Sequence, residues 1–151
     1  MSIHNRLNSL GITLPHAAAP VASYQPVVVD GHTAFVSGQL PFVDGELVTG
    51  KLGDEVSLER GQQAARACGL MIMAQLEAAG LIERVAHFVK LGGFVACTPD
   101  FYDQPKVING ASDLMAEVFG EAGKHARSAV GVPVLPLNAA VEVDAIVALK
   151  A

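Results

Sequence analysis

The C-terminal end of the chain constrains the fold most. Arg127 to Val134 and Ala139 to Lys150 are runs of alternating apolar and polar or small residues, joined by Leu135-Pro136-Leu137-Asn138. Alternation at period two marks strands with one buried face, and a four-residue connection of this composition suits a hairpin loop. Such a loop sets Val134 opposite Ala139 and so fixes every other pair. In that register Ser128, Val130, Val132, Val141, Val143, Ala145 and Val147 share one face, while Arg127, Ala129, Gly131, Glu142 and Asp144 share the other. Asp144 then opposes Ala129 and lies diagonal to Arg127, and Glu142 reads as a solvated or pairing charge. The small residues Ala129 and Gly131 leave space above the charged face.

Upstream, Ile3, Leu7 and Leu10 are spaced for one short helix that Gly11 stops. Val27 to Val29 and Ala34 to Ser37 flank Asp30-Gly31, a hairpin signal. The stretch holding Pro41, Asp44, Gly45, Gly50 and Gly53 is expected to form a flexible rim that adds nothing to the core. Ser57 followed by Arg60 is not a capping box, but Asp54, Glu55 and Glu59 place negative charge where a helix start prefers it. That helix runs to about Ala79, with Ala64, Ala67, Cys68, Met71, Ala74 and Ala78 repeating at three and four and Gly80 ending it. Val85 to Cys97 reads as a long strand with a bulge at Gly92 and Gly93. A second helix has Pro105 in its first turn, Val107, Ile108, Leu114, Met115 and Val118 as apolar positions, and Gly120 with Gly123 closing it. The order hairpin, helix, strand, helix, hairpin predicts an α+β domain, a mixed sheet with two helices on one face. The uncovered face calls for a partner: with 51% hydrophobic residues in 151, a ring-like homo-oligomer is expected.

Composition narrows the function. A chain of 151 residues holds one core, so residues 1–151 read as a single domain. The net charge of −5 and the shortage of aromatic rings argue against a nucleic-acid partner. No apolar run is long enough to span a membrane, residues 1 to 22 lack the apolar core of a secretory signal, and a reducing cytoplasm is the expected location. Cys68 and Cys97 read as small core residues. His4, His16 and His32 lie near the terminus or in turns, and His87 and His125 stand alone among apolar or small neighbours, so no metal site is expected. Phosphate-cradling loops, the dinucleotide fingerprint, the nucleophile elbow and the zinc-protease motif are absent, and no cofactor is expected.

Ala126-Arg127-Ser128-Ala129-Val130-Gly131-Val132, then Leu135-Pro136 and Val141-Glu142-Val143-Asp144-Ala145-Ile146, resemble the C-terminal signature of the YjgF/RidA family. Tyr24, Phe35-Val36-Ser37-Gly38-Gln39-Leu40-Pro41, Glu77-Ala78-Ala79-Gly80-Leu81 and Val107-Ile108-Asn109 follow the family's order, so the resemblance covers about residues 20 to 150. Residues 1–20 are then an N-terminal extension. The resemblance implies a chorismate-mutase-like fold, a homotrimer with clefts between subunits, and hydrolysis of reactive enamine and imine acids to 2-keto acids and ammonia. It assigns Arg127 to the substrate carboxylate, Tyr24, Ser37 and Gly38 to the pocket lining, Asn109 to a contribution from the second helix, and Asp144 to positioning water or relaying a proton. The chemistry of Arg127 agrees, because a guanidinium among small neighbours grips a carboxylate through two parallel hydrogen bonds that lysine cannot reproduce. The family's well-known imine deaminases carry cysteine two residues after the arginine and glutamate on the final strand, where this chain has Ala129 and Asp144. Two other readings accompany the deaminase: a non-catalytic binder of small carboxylates such as 2-keto acids, and the family's endoribonuclease or translation-inhibitor label, disfavoured by the net charge of −5.

Overall fold

The computed structural model describes residues 1–20 and 22–151. Its elements are helix α1 (Ile3–Ser9), strands β1 (Val27–Asp30), β2 (Thr33–Gln39), β3 (Phe42–Val43) and β4 (Glu46–Leu47), helix α2 (Leu58–Ala78), strand β5 (Val85–Ala96), helix α3 (Gln104–Phe119), and strands β6 (Ala126–Val132) and β7 (Val141–Leu149). Five strands form one mixed sheet in the order β1-β2-β7-β5-β6, and β3 and β4 form a separate ribbon. Every neighbouring pair in the large sheet is antiparallel except β5 with β6. The α+β class is as expected.

Local chemistry sets the helix ends. Ser57 accepts the Arg60 N–H at 3.1 Å, so a single hydroxyl caps α2 without the reciprocal glutamate of a capping box. Past its other end Gly80 takes φ +73°, which relieves the turn of a side-chain clash. Pro105 sits in the first turn of α3, where a missing N–H goes unnoticed. Both long helices lie on one sheet face. Ala64, Cys68, Ile72 and Leu76 of α2 and Val107, Ile108, Leu114 and Met115 of α3 meet Leu91, Val95, Val141 and Val143 of the sheet in one buried core. Each large side chain so buried contributes about 1.5–3 kcal/mol of hydrophobic stabilisation. The backbones of α2 and α3 approach closely because Gly110 presents no Cβ to the main chain of Gln62. The short α1 packs beside α3, with Leu7 buried.

Three expectations require correction. The C-terminal hairpin does not form, because β5 lies between the two runs: Lys90 to Ala96 pair in parallel with Ala126 to Val132, and the opposite edge of β5 pairs antiparallel with β7. Alternation marks the strands but neither their neighbours nor which face of β6 the helices cover: β5 lies between β6 and β7, and Val130, on the apolar face of β6, is left 46% exposed. The connection from β6 to β7 carries Leu137 and Asn138 at φ 58° and 60°, and the Asn138 carbonyl accepts the Gly50 N–H at 3.0 Å. In the observed register Gly92 pairs with both Ser128 and Asp144, whereas Leu91 pairs with both Arg127 and Ala145. Asp144 therefore lies on the uncovered face and Arg127 on the helix-covered face. They are not cross-strand neighbours.

The second correction concerns Gly92 and Gly93, which sit in regular register; the irregularities of β5 fall between Val85 and His87 and between Phe88 and Lys90. The glycines serve packing instead. Gly92 makes room for the Asp144 carboxylate, and a Cβ on Gly93 would lie 2.6 Å from Cγ1 of Ile108. Third, the segment after β2 does add to the core: Val48, Leu52 and Val56 are buried, and Leu52 donates its N–H to Ala96 at 2.9 Å. Cys68 is fully buried as expected, while Cys97 is only partly so. The face of the sheet away from the helices stays uncovered, with Val28 51%, Phe35 45% and Val130 46% exposed.

Candidate functional site

Arg127 stands on the edge strand β6, and its side chain reaches toward α3. Its Nη1 donates to Asn109 Oδ1 at 2.8 Å and to Ser112 Oγ at 3.2 Å, and its Nη2 lies 3.4 Å from the Pro105 carbonyl. Asn109 and Ser112 are three residues apart, so the helical repeat presents them on one side of α3. These partners are neutral, and among the described residues no carboxylate pairs with Arg127. The guanidinium borders an open pocket of about 280 Å³ shared with Asn109, Ser112, His125 and Lys124. Ala129 follows on the same side of β6, partly buried and packed against the core, and offers no polar group.

A second cavity lies at the end of β2. It measures about 370 Å³, and Tyr24, Gly38, Gln39, Gln75 and Glu142 contribute to its lining. Gln75, buried on α2, donates to Ala18 O at 2.7 Å and to Gln39 Oε1 at 3.2 Å. This ties the N-terminal segment to the cavity wall, which Ala18, Ala19 and Pro20 help to form. Glu142 is the acid of this cavity. Its carboxylate lies against Gly38 in the volume that a side chain there would fill. Burial, and secondarily the charge of Asp144, raise its proton affinity above that of an ordinary glutamate.

The remaining sequence-predicted residues fall around these two places. Ser37 precedes Gly38 but turns its hydroxyl to the Gln25 carbonyl, 2.7 Å away. Asp144 Oδ1 accepts the Gly92 N–H at 3.0 Å; burial raises its pKa above the usual aspartate value, and that hydrogen bond and the Lys90 charge offset only part of the rise. Within one chain, then, Arg127 meets Asn109, and Tyr24 and Gly38 share a cavity, but the two groups do not meet. β6 stands two strand spacings, about 10 Å, from β7, and their functional side chains emerge on opposite faces of the sheet.

Sequence reasoning passed over Glu142, Ser112 and His125. The assumed hairpin placed Glu142 on the face of Arg127, where it looked like an ion-pair partner. The signal that could have found Ser112 was its three-residue spacing from Asn109. His125 contacts Ser112, a relation between a helix and the segment before β6 that local pattern does not display. No cluster of three or more potential metal ligands occurs among the described residues. Burial pushes the Cys68 thiol well above the usual thiol range, which keeps it protonated and inert. No helix among the described residues is long and apolar enough to cross a membrane.

A mixed sheet covered on one face by two helices, with an arginine pocket on its edge strand and an acid-lined cavity at the end of β2, defines the chorismate-mutase-like class. The chain belongs to the YjgF/chorismate-mutase-like endoribonuclease family, whose sequence model matches residues 4–149. It is 53% identical over 147 residues to Protein TCP17 of Trypanosoma cruzi, covering 95% of this chain and 92% of that protein. It is 34% identical over 141 residues to the 2-iminobutanoate/2-iminopropanoate deaminase of Dermatophagoides farinae, covering 92% and 95% respectively. Among solved structures, Atu1372 of Agrobacterium tumefaciens, a protein of unknown function, superposes with a TM-score of 0.89 at 46% identity, covering 99% of this chain and 93% of that one. The family read from the Arg127 and Ser37-Gly38-Gln39 motifs is therefore the family found.

Proposed function

We propose that this protein hydrolyses 2-imino and 2-enamino acids to 2-keto acids and ammonia without a cofactor, in a cleft completed by a second copy of the chain within a homotrimer. One observation carries the reading: the Arg127 guanidinium, steadied among the described residues by neutral acceptors and paired there with no carboxylate, faces an open pocket. Such a group suits a small carboxylate, which it can hold by two parallel hydrogen bonds. The 34% identity to a protein named as an iminobutanoate and iminopropanoate deaminase gives that carboxylate a chemical setting.

Two subunits supply the parts in this reading. One contributes Arg127 and Asn109, with Ala129 leaving room beside the bound acid. The neighbour contributes Tyr24, Ser37 and Gly38 as walls and a carboxylate to handle protons. The cavity geometry favours Glu142 for that last role over Asp144, which is occupied by the Gly92 N–H. Asp144 then assists through its charge, which helps raise the Glu142 proton affinity.

The chemistry asks little of the protein. The substrate imine is protonated, and a carboxylate beside it stabilises the iminium. Water adds to the iminium carbon while Glu142 accepts its proton; Glu142 returns that proton to the amine nitrogen. The carbon–nitrogen bond then breaks to release ammonia, the hydroxyl proton passes through Glu142 to that ammonia, and a keto acid and ammonium result. Orientation and one acid–base group account for acceleration of a reaction that already proceeds slowly in water.

The test couples the protein to an amino-acid oxidase that generates 2-imino acids. Keto-acid release is expected to accelerate over buffer, with the acceleration lost in Arg127→Ala. Release at the buffer rate would contradict the proposal. A carboxylate binder without turnover is the second reading, favoured by Ala129 where the family's well-known deaminases carry a thiol; it predicts calorimetric binding of 2-ketobutyrate, abolished by Arg127→Ala, with no imine consumed. Ribonuclease activity has less support, since two carboxylates, Glu142 and Asp144, share the uncovered sheet face of a chain with net charge −5.

A further inference from the structure

Behind Ser112 stands His125. Ser112 Oγ lies 2.8 Å from His125 Nε2, and on the far side of the ring Nδ1 lies 2.7 Å from the Gly123 carbonyl oxygen. A carbonyl only accepts, so Nδ1 carries the proton and, in the neutral ring, Nε2 is a bare acceptor. The Ser112 hydroxyl must then donate to Nε2, and its lone pairs are left for the Arg127 N–H. The result is a chain of donors running one way: Arg127 to Ser112, Ser112 to His125, His125 to the backbone of Gly123. Its last member is rigid, because Gly123 is buried so tightly against the main chain of Met115 that no Cβ fits there.

We infer that Ser112 and His125 are positioning residues for Arg127, an inference that rests on the reading of Arg127 as the carboxylate anchor. The geometry gives them a definite task. Asn109 and Ser112 together engage both hydrogens of Nη1, whereas Nη2 has only the distant Pro105 carbonyl and Nε has no partner among the described residues. Locking Nη1 leaves the Nε–Nη2 edge as the one edge open for two parallel hydrogen bonds to a carboxylate. Without His125 the hydroxyl of Ser112 rotates freely, and it no longer presents a fixed lone pair to the guanidinium. Preorganisation of this kind shows in affinity, since a side chain already held loses less freedom when the ligand arrives.

Two readouts test this in the full-length protein. Side-chain ¹⁵N NMR of Arg127 reports guanidinium rotation without any ligand: resolved Nη signals are expected in the native protein, and averaged signals in Ser112→Ala and His125→Ala. His125→Gln, whose Oε1 can replace Nε2 as acceptor for Ser112, should restore them. Calorimetry with 2-ketobutyrate should show Kd rising about tenfold in Ser112→Ala and His125→Ala, with most of the loss recovered in His125→Gln. In the imine assay KM should follow Kd, with a smaller fall in kcat. Unchanged Arg127 signals in both alanine variants would overturn the inference, as would a lower melting temperature with unchanged Kd. Failure of the anchor reading looks different: Arg127→Ala would then bind 2-ketobutyrate as the native protein does, while the NMR signals still report whether Ser112 and His125 hold the guanidinium.

Discussion

Glu142 occupies the space that Gly38 leaves vacant. A Cβ built on Gly38 would come within 2.8 Å of Cδ of Glu142 and closer still to its carboxylate oxygen. The atoms in the way are the far end of a flexible side chain, so Gly38→Ala should fold normally and move the carboxylate out of the cavity. The expected result is a fall in kcat of about tenfold or more, with a melting temperature within a few degrees of the native value. Unaltered kcat would mean that Glu142 has no part in the reaction.

Glu142→Gln separates function from stability by the sign of its pKa shift. Burial and Asp144 raise the folded-state pKa above the unfolded one. A group shifted this way contributes stability that is fully present below the unfolded pKa and is lost as pH rises through the folded pKa. Native protein therefore loses stability across that window, and the glutamine variant does not. Thermal melts should show a small advantage for Glu142→Gln at pH 7 that vanishes near pH 4, while turnover at pH 7 is abolished.

His4 fastens α1 to the body of the protein. Its Nε2 lies 2.6 Å from Glu77 Oε2 and its Nδ1 contacts Glu83, which also accepts the Ile3 and His4 backbone N–H groups at 2.9 and 3.0 Å. Glu77 first and Glu83 second raise the His4 pKa. The attachment is therefore complete below the unfolded value near 6.5 and weakens as pH rises through the folded one. Limited proteolysis after residues 9–12 should be slow at pH 5.5 and faster at pH 8.5, and His4→Gln should remove most of the difference.

Gly110 is a structural position of another kind. A Cβ there meets the backbone carbonyl of Gln62, which cannot rotate away. Gly110→Ala should force α2 and α3 apart at a cost of about 2–3 kcal/mol, measurable by denaturant unfolding. A destabilisation below about 0.5 kcal/mol would show that the helix pair adjusts freely.

Period and punctuation made the helices legible: α2 and α3 follow from their apolar spacing and terminal glycines, and β1 with β2 from Asp30-Gly31. Pairing was less accessible. The alternation in Arg127 to Val134 and in Ala139 to Lys150 marks two strands of opposite direction, yet it carries no record of β5 lying between them. Inserting one strand reversed the relation of Arg127 to Asp144 and left Glu142 as the acid that lines a cavity. Gly92 and Gly93 misled in a similar way, since glycine in a strand signals either a bulge or close packing, and only Asp144 and Ile108 decide which. Arg127 and Asn109 were recoverable from the family motif. Their link to Ser112 and His125 depends on how α3 leans over β6, a tertiary relation.

The central claim is that Arg127 of one chain works with Glu142 of another. Subunit mixing tests it most directly: Arg127→Ala and Glu142→Gln, each expected to be inactive alone, are unfolded together and refolded in equal amounts. If each site draws the two residues from neighbouring subunits, half of the arginines and half of the glutamates are intact at random, and activity should return to about a quarter of the native level. No recovery from a well-folded mixture would contradict the account, because a site built within one chain has no intact copy in either variant.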